Sequence, residues 1–460
     1  MSSMVRHLVT GVLVSSTLIY APSSLAQMMT RLDTLGGNVC TAENTNDNGA
    51  VIGACRESDG DVVAAYWPPG TTSPTPLAPL EAGGPCEAYD VNNANVVAGN
   101  CEQGATGEQF PVRWVPSLPG SLPQRLNPLV GHAKAKAWSI NHAGVVAGAS
   151  IEAGGGSRAV IWRAGQANPI SLPQLGLLPP LLPSSTECRV TDLTDAVEPI
   201  AVGYCDLRDG GSVAVRWTPG LFGGYAATEL PRLQGGSNCV AVAINGYRFV
   251  AGTCEDEDGD IVAVRWASDG IHLTYLDYLQ VSGESRQQLS VVDMNEAGII
   301  AGNHLNDDGF SRAFVWVPNG NPALEEGLDL DALGGFWVQA VDIADNGYIV
   351  GTGQNASGLS RAFRWTPTNG IEELGTLGGF TSQAAALSDS GLWQVGNSQE
   401  VSGHTLAYSI DPVRRVSEKN THFYAESEAG SPQIVNFGKS ITIVVQYTST
   451  PMSEFKPVIY

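Results

Sequence analysis

One short pattern runs through this chain eight times. Ala-x-x-Ile-Asn, a glycine-centred turn, Val-x-Gly, an acidic glycine turn and Ala-x-x-Trp recur from Asn38 to Ile410. The Val-x-Gly glycines stand at Gly53, Gly99, Gly148, Gly203, Gly252, Gly302, Gly351 and Gly396, so successive copies lie 46, 49, 55, 49, 50, 49 and 45 residues apart. Self-similarity at this spacing marks stacked supersecondary units, and periods of roughly 40–50 residues are those of four-stranded propeller blades. Such a period admits few folds, and every other feature is read inside it.

The seventh copy departs least from the pattern. Leu330-Asp331-Ala332-Leu333-Gly334-Gly335 reads as a short strand ending in a glycine pair, followed by Val338 to Ile343, the turn Asp345-Asn346-Gly347, and Tyr348 to Thr352. Alternation on either side of Asn-Gly is a strong hairpin signal. A second turn leads into Ser360 to Trp365, and Pro367 stops that strand because proline donates nothing to a ladder. Each copy therefore counts four strands. In the last, Phe363 and Trp365 share one face while Ala362 points to the other.

Trp67, Trp114, Trp162, Trp217, Trp266, Trp316 and Trp365 all hold this slot, with Ile410 in the eighth copy. Burial between neighbouring blades, each large ring facing a small alanine, accounts for the stripe better than a sugar-stacking platform does. An open array leaves two unpaired edges. The segment from Met29 to Gly37 looks like an outermost strand lacking its inner partners, and the eighth copy ends at Ile410 without an outer strand. Joining them predicts an all-β propeller of eight blades closed by its amino-terminal strand. The count falls to seven if the irregular third or fourth copy forms no full blade, the fourth being the more irregular, with its Pro/Leu-rich insertion and Val197-Glu198-Pro199 in place of the glycine turn.

The cysteines obey the same period. Cys40 and Cys55, Cys86 and Cys101, Cys188 and Cys205, and Cys239 and Cys254 flank the first turns of four copies at separations of 15, 15, 17 and 15. Where the second slot is Ser150, His304, Gly353 or Ser398, the aligned first slot is Ala135, Leu289, Val338 or Gln383. All-or-none occupancy implies partners, and residues opposite one another on antiparallel strands suit a disulfide. Zinc-type Cys-x-x-Cys spacing is absent.

The compartment follows. Arg6, an apolar stretch from Leu8 to Tyr20 and Ser24-Leu25-Ala26 have the form of an export signal over residues 1–26. The propeller then covers 27–410, and a repeat-free tail covers 411–460, where Gln433 to Phe437 and Ile441 to Tyr447 suggest a small β appendage. No apolar run of membrane-spanning length appears. The expectation is an exported protein, extracellular or periplasmic, with no transmembrane segment.

With 46 Asp+Glu against 24 Lys+Arg and a formal net charge of -22, the chain lacks the basic stripe that nucleic acid requires. Cations, basic proteins and glycans suit it better as partners. The loops expected between second and third strands hold 16 of the 46 acids, which predicts one strongly negative face. The densest is Glu255-Asp256-Glu257-Asp258-Gly259-Asp260, where Asp256, Asp258 and Asp260 are candidate ligands for Ca²⁺. The same Asp-Gly composition is what a tight hairpin turn prefers.

Gly375-Thr376-Leu377-Gly378-Gly379, Ala137-Trp138-Ser139-Ile140-Asn141, Val145 to Gly148 and Ser311-Arg312-Ala313-Phe314-Val315-Trp316 together resemble the HAF-repeat extracellular proteins of bacteria, over about Met29 to Ile410. The resemblance implies export and a propeller-like repeat fold. It brings no established activity and no catalytic residues.

Enzyme motifs are missing: no Gly-x-Ser-x-Gly elbow, phosphate loop or His-Glu-x-x-His occurs. Histidines are scattered one to a copy, with His304 and His404 expected in loops of the acidic face, close enough to meet across the ring. The leading expectation is a noncatalytic binding or scaffold module with its ligand at the acidic loop face or the channel mouth. Two rivals stand beside it: a carbohydrate-active hydrolase or lyase, and a Ca²⁺-stabilised cell-surface adhesion protein. Carboxylates converging with a His or Tyr in a deep pocket would favour the enzyme.

Overall fold

The computed structural model describes residues 29–411 except 83, 104–107, 117–121, 177–184, 209, 221–222, 277–286 and 319–325, and adds the strands Phe423–Glu426 and Pro432–Val435. Residues 1–26 and the tail run 441–447 lie outside the described residues. Gln433 falls in the short tail hairpin, where it pairs with Ala425. Among the described residues no helix is long and apolar enough to cross a membrane.

Eight antiparallel four-stranded sheets stand in a ring, so the fold is an eight-bladed β-propeller. Blade 1 comprises Gly36–Thr45, Val51–Glu57, Val62–Trp67 and Thr75–Pro76, from the axis outward. Blade 8 takes Gly378–Leu387, Gln394–Glu400 and Thr405–Ile410 from the end of the repeat array and Thr30–Arg31 from its beginning. Thr30 lies opposite Ser409 and Arg31 opposite Tyr408, which closes the circle. The fourth copy is a full blade, with strands Ser185–Leu193, Ala201–Leu207, Ser212–Pro219 and Tyr225–Glu229. Leu330 to Leu333 are not a strand: Glu326–Asp329 is the outer strand of blade 6, and the residues after it carry the chain to the next blade.

Apolar side chains gather at the seams between blades. Phe363 and Trp365 pack with Ala313, Val315 and Leu330 towards blade 6, while Ala362 packs with Tyr408 and Leu387 towards blade 8. The seven tryptophans are at most 9% exposed, which places them in the core. Five of the indole N–H groups also have work: Trp67 Nε1 donates to Asp33 O, Trp114 to Ala78 O, Trp162 to Asn127 O, Trp217 to Pro173 O and Trp266 to Pro231 O. Every acceptor lies just past the outer strand of the preceding blade. In these five blades Trp suits the slot better than Phe, which fills space but leaves a buried carbonyl without its donor.

The Val-x-Gly glycine answers to an irregularity in the neighbouring strand. Inner strands carry a bulge, as between Ala42 and Asn44 in blade 1, where one residue goes unpaired. The bulge pushes the Thr41 carbonyl towards Gly53, and a Cβ there would overlap that oxygen. Gly148 and Gly203 stand in the same relation to the carbonyls of Lys136 and Arg189.

Cys40–Cys55, Cys86–Cys101, Cys188–Cys205 and Cys239–Cys254 are disulfides, each with Cα atoms 4.1 Å apart and directly opposite in register. They indicate an oxidising compartment. The equivalent pair in blade 8 is Ser382 and Ser398 rather than Gln383 and Ser398, because the turn after Leu387 is one residue longer than that after Ile343.

Candidate functional site

Past its bulge, each inner strand runs on towards one end of the central channel and turns back there. The turns converge on a cavity of 610 Å³ whose lining includes Asp47, Asp90, Asp192, Asp195, Asp293, Glu296, Asp342, Asp345 and Asp389. Among the described residues no Lys or Arg lines it, and His142 is its one basic side chain. This mouth lies at the end opposite the loops between second and third strands, since Gly36 at the start of an inner strand pairs with Glu57 beside such a loop. The concavity and the acid-rich loop face are thus different places.

An asparagine girdle builds the mouth. Asn92 Oδ1 accepts from the amides of Ala94 and Val96, both at 3.0 Å, shaping its own turn, while Nδ2 donates to Asn141 O in the next blade. Asn46, Asn141, Asn245 and Asn295 repeat this pairing of an internal acceptor with an outward donor. The Ile-Asn of the repeat is therefore an inter-blade tie as well as a turn cap.

Two residues before the girdle position stand Asn44, Asp90, Ser139, Asp192, Ala243, Asp293, Asp342 and Ala386, of which the six polar ones line the cavity while Ala243 and Ala386 pack between blades. Asp90 accepts from its own neighbour Val91 N and from Ile140 N of the next blade, both at 2.8 Å. Asp192 does likewise with Leu193 N and Ile244 N, and Asp342 with Ile343 N and Leu387 N. Burial nonetheless outweighs these amides, raising Asp90 to about 6 and Asp192 and Asp342 to about 7. Asp293 is also pushed well up, first by burial and then by the charge of Asp342.

The outermost tier comprises the residues just after the girdle. Asp47 exchanges hydrogen bonds with Asn93, His142 N donates to Asp195, Gly246 N to Glu296 and Glu296 N to Asp345, and Ser390 N returns to Asp47. His142 does more than continue this tier. Its Nδ1 lies 3.0 Å from Asp195 Oδ2 and its Nε2 3.0 Å from Asp389 Oδ2, joining blade 3 to blades 4 and 8. Hydrogen bonding to Asp195 first, then Asp389, raises the imidazole to about 10. It is an imidazolium at neutral pH. Burial acts to raise Asp195, but the bonds from His142 prevail and hold it below the usual carboxylate range.

Asp256, Asp258 and Asp260 occupy a closed hairpin turn on the other face. Asp256 Oδ1 is taken by the amides of Asp258 and Asp260, and Asp256 N bonds Asp260 O. Among the described residues no three His, Cys, Asp or Glu side chains are grouped to hold a metal ion, there or at the mouth. His304 sits inside a strand in the cysteine slot of blade 6, 2% exposed, with Nε2 3.0 Å from Asp329 Oδ1. His404 is engaged with Ser402 and Asn38 instead, so the two do not meet. The ring aspartates and His142 were not singled out from the sequence. The available signal was the period itself, read two residues before and one after the repeating asparagine.

No family model matches the chain, and no curated protein is similar to it. Among solved structures, a prolyl endopeptidase aligns at 12% identity and a TM-score of 0.51, covering 86% of this chain and 54% of its own. A puromycin-hydrolysing peptidase from Mycobacterium tuberculosis aligns at 13% and 0.45, covering 76% and 56%. The BP39L lectin from Burkholderia pseudomallei aligns at 9% and 0.41, covering 74% and 99%. This chain spans about half the length of either peptidase. At such identities the likeness to the endopeptidase is one of propeller fold alone.

Proposed function

We propose that this protein is an exported propeller of the HAF-repeat kind, a noncatalytic binding module that captures organic cations at the girdled end of its channel. One observation carries the reading: among the described residues nine acidic side chains and no Lys or Arg line a single 610 Å³ cavity, and Asp47 and Asp195 in its outer tier are held below the usual carboxylate range. A cavity walled by one sign of charge concentrates the opposite sign. These acids stand around a molecule-sized space, and among the described residues no three of them are grouped as an ion's ligands. His142 supports the same reading, because its ring is a planar cation held by two of these carboxylates at 3.0 Å each.

Titration calorimetry with ethylamine and spermidine at low salt tests it. Saturable binding is expected, weakened at least about fivefold in Glu296→Gln/Asp345→Asn, which removes charge but keeps an acceptor for each amide. Removing the carboxylates of Asp256, Asp258 and Asp260 at the opposite end is expected to change nothing. Affinity that follows the second variant and ignores the first would defeat the proposal.

A carbohydrate-active hydrolase has one observation in its favour, the elevated acids Asp192 and Asp342 near a carboxylate-rich cavity. Against it, each of these acids accepts two backbone amides, and His142 is occupied as an imidazolium. Sugar release from a polysaccharide panel, abolished by Asp192→Asn, is the result that would establish it.

A further inference from the structure

The channel does not end at the acidic mouth. A second cavity of 500 Å³ is lined by Trp138, Arg189, Val190, Thr191, Asp192, Tyr204, Val242, Val292 and Asp293. Asp192 and Asp293 line both cavities, so the two spaces meet at these carboxylates. Beyond them the wall changes character. Trp138, Thr191, Val242 and Val292 are the unpaired bulge residues of blades 3, 4, 5 and 6.

The polar atoms of this second chamber are largely spent within its wall. Trp138 Nε1 donates to Val190 O at 2.8 Å, which fixes the indole and leaves its apolar surface to the lumen. Thr191 Oγ1 bonds Ala241 O at 2.9 Å and Val202 O at 3.2 Å. What remains is an apolar, aromatic-sided space with acids at one end and the exposed Arg189 at the other. An inorganic cation or a simple polyamine has nothing to gain from such a wall.

We propose that the acidic mouth and this chamber form one bipartite pocket for an amphipathic cation. Its ammonium or guanidinium head sits by Asp192 and Asp293, on an aryl or alkyl body lying against Trp138, Val242 and Val292. Arg189 sets the orientation, because it repels the head from the far end. The inference rests on the cation-binding reading above and narrows it to a ligand class.

The test is titration of the full exported chain with ethylamine, phenethylamine and 2-phenylethanol, probes that separate charge from apolar body. Phenethylamine is expected to bind about tenfold or more tighter than ethylamine, the gain of burying one aryl group on an apolar wall. Trp138→Ala should bring phenethylamine down to the level of ethylamine. Val292→Thr, which keeps the side chain's shape at a half-buried position, should reduce the preference several-fold. Equal affinity for the two amines, or an undiminished preference in both variants, overturns the bipartite pocket and leaves the mouth reading standing. Binding of 2-phenylethanol as tight as that of phenethylamine, or no binding of either amine, overturns both.

Discussion

Asn92 shows how much one repeated residue holds. It is 2% exposed, supplies an acceptor to two amides of its own turn and a donor to a carbonyl of the next blade. Alanine there removes all three bonds at once. A buried polar group left unsatisfied costs about 1–3 kcal/mol, and water at the mouth replaces some of the lost partners, so Asn92→Ala should lower stability by about 3 kcal/mol. In blade 4 the equivalent Thr194 accepts only from Ile200 N through its hydroxyl, so Thr194→Ala should cost about 1 kcal/mol. Urea unfolding of the two variants checks the ratio, and equal losses would mean that the turns are held by backbone bonds alone. The repeating Asn was plain in the sequence as a turn signal. Its inter-blade role was hidden because the acceptor lies 49 residues away, in a unit that appears only to repeat it.

At the scale of strands and blades, legibility depended on whether a property follows the period or the phase within it. The Trp slot, the Cys pairs and the amino-terminal closure depend on the period and were readable. The channel ring depends on phase, and a period-two reading fails across the bulge between Ala88 and Asp90, so that acids facing the lumen could not be told from acids facing solvent. Dense acidic runs such as 255–260 drew attention instead, although their chemistry is mostly that of a hairpin turn. A slip of one residue likewise misplaced Gln383 for Ser382. Register itself is testable in blade 3, where Ala135 lies opposite Ser150 in the slot that holds disulfides elsewhere. Ala135→Cys/Ser150→Cys should oxidise spontaneously to a fifth bridge, shown by thiols silent to Ellman's reagent until reductant is added. Removing Cys188 and Cys205 together should cost about 3 kcal/mol or less, because their loop is short and already closed by a hairpin.

For the molecule as a whole, the crowding of like charge along one axis makes stability depend on pH in a definite sense. Asp90 is raised to about 6, and Asp192 and Asp342 to about 7, so between roughly pH 4 and 7 the folded chain keeps protons that unfolded carboxyls have released. His142, raised to about 10, does the same from roughly pH 6.5 upward, where an unfolded imidazole is neutral. The folded state thus binds more protons than the unfolded state across the whole range, and stability falls as pH rises. Asp47 and Asp195 are held low and act in reverse, their stabilisation being present above roughly pH 4 and lost as pH falls further. The melting temperature should therefore peak near about pH 4–6 and decline steadily towards pH 9. His142→Gln should lessen the decline above about pH 7 while leaving the slope below it, since the aspartates remain. Scanning calorimetry at constant ionic strength separates the two limbs. A wild-type melting temperature that climbs from about pH 5 to 8 would mean that the ring aspartates are hydrated and ionised, and that the axis of the propeller is an open water channel rather than a crowded, partly dry one.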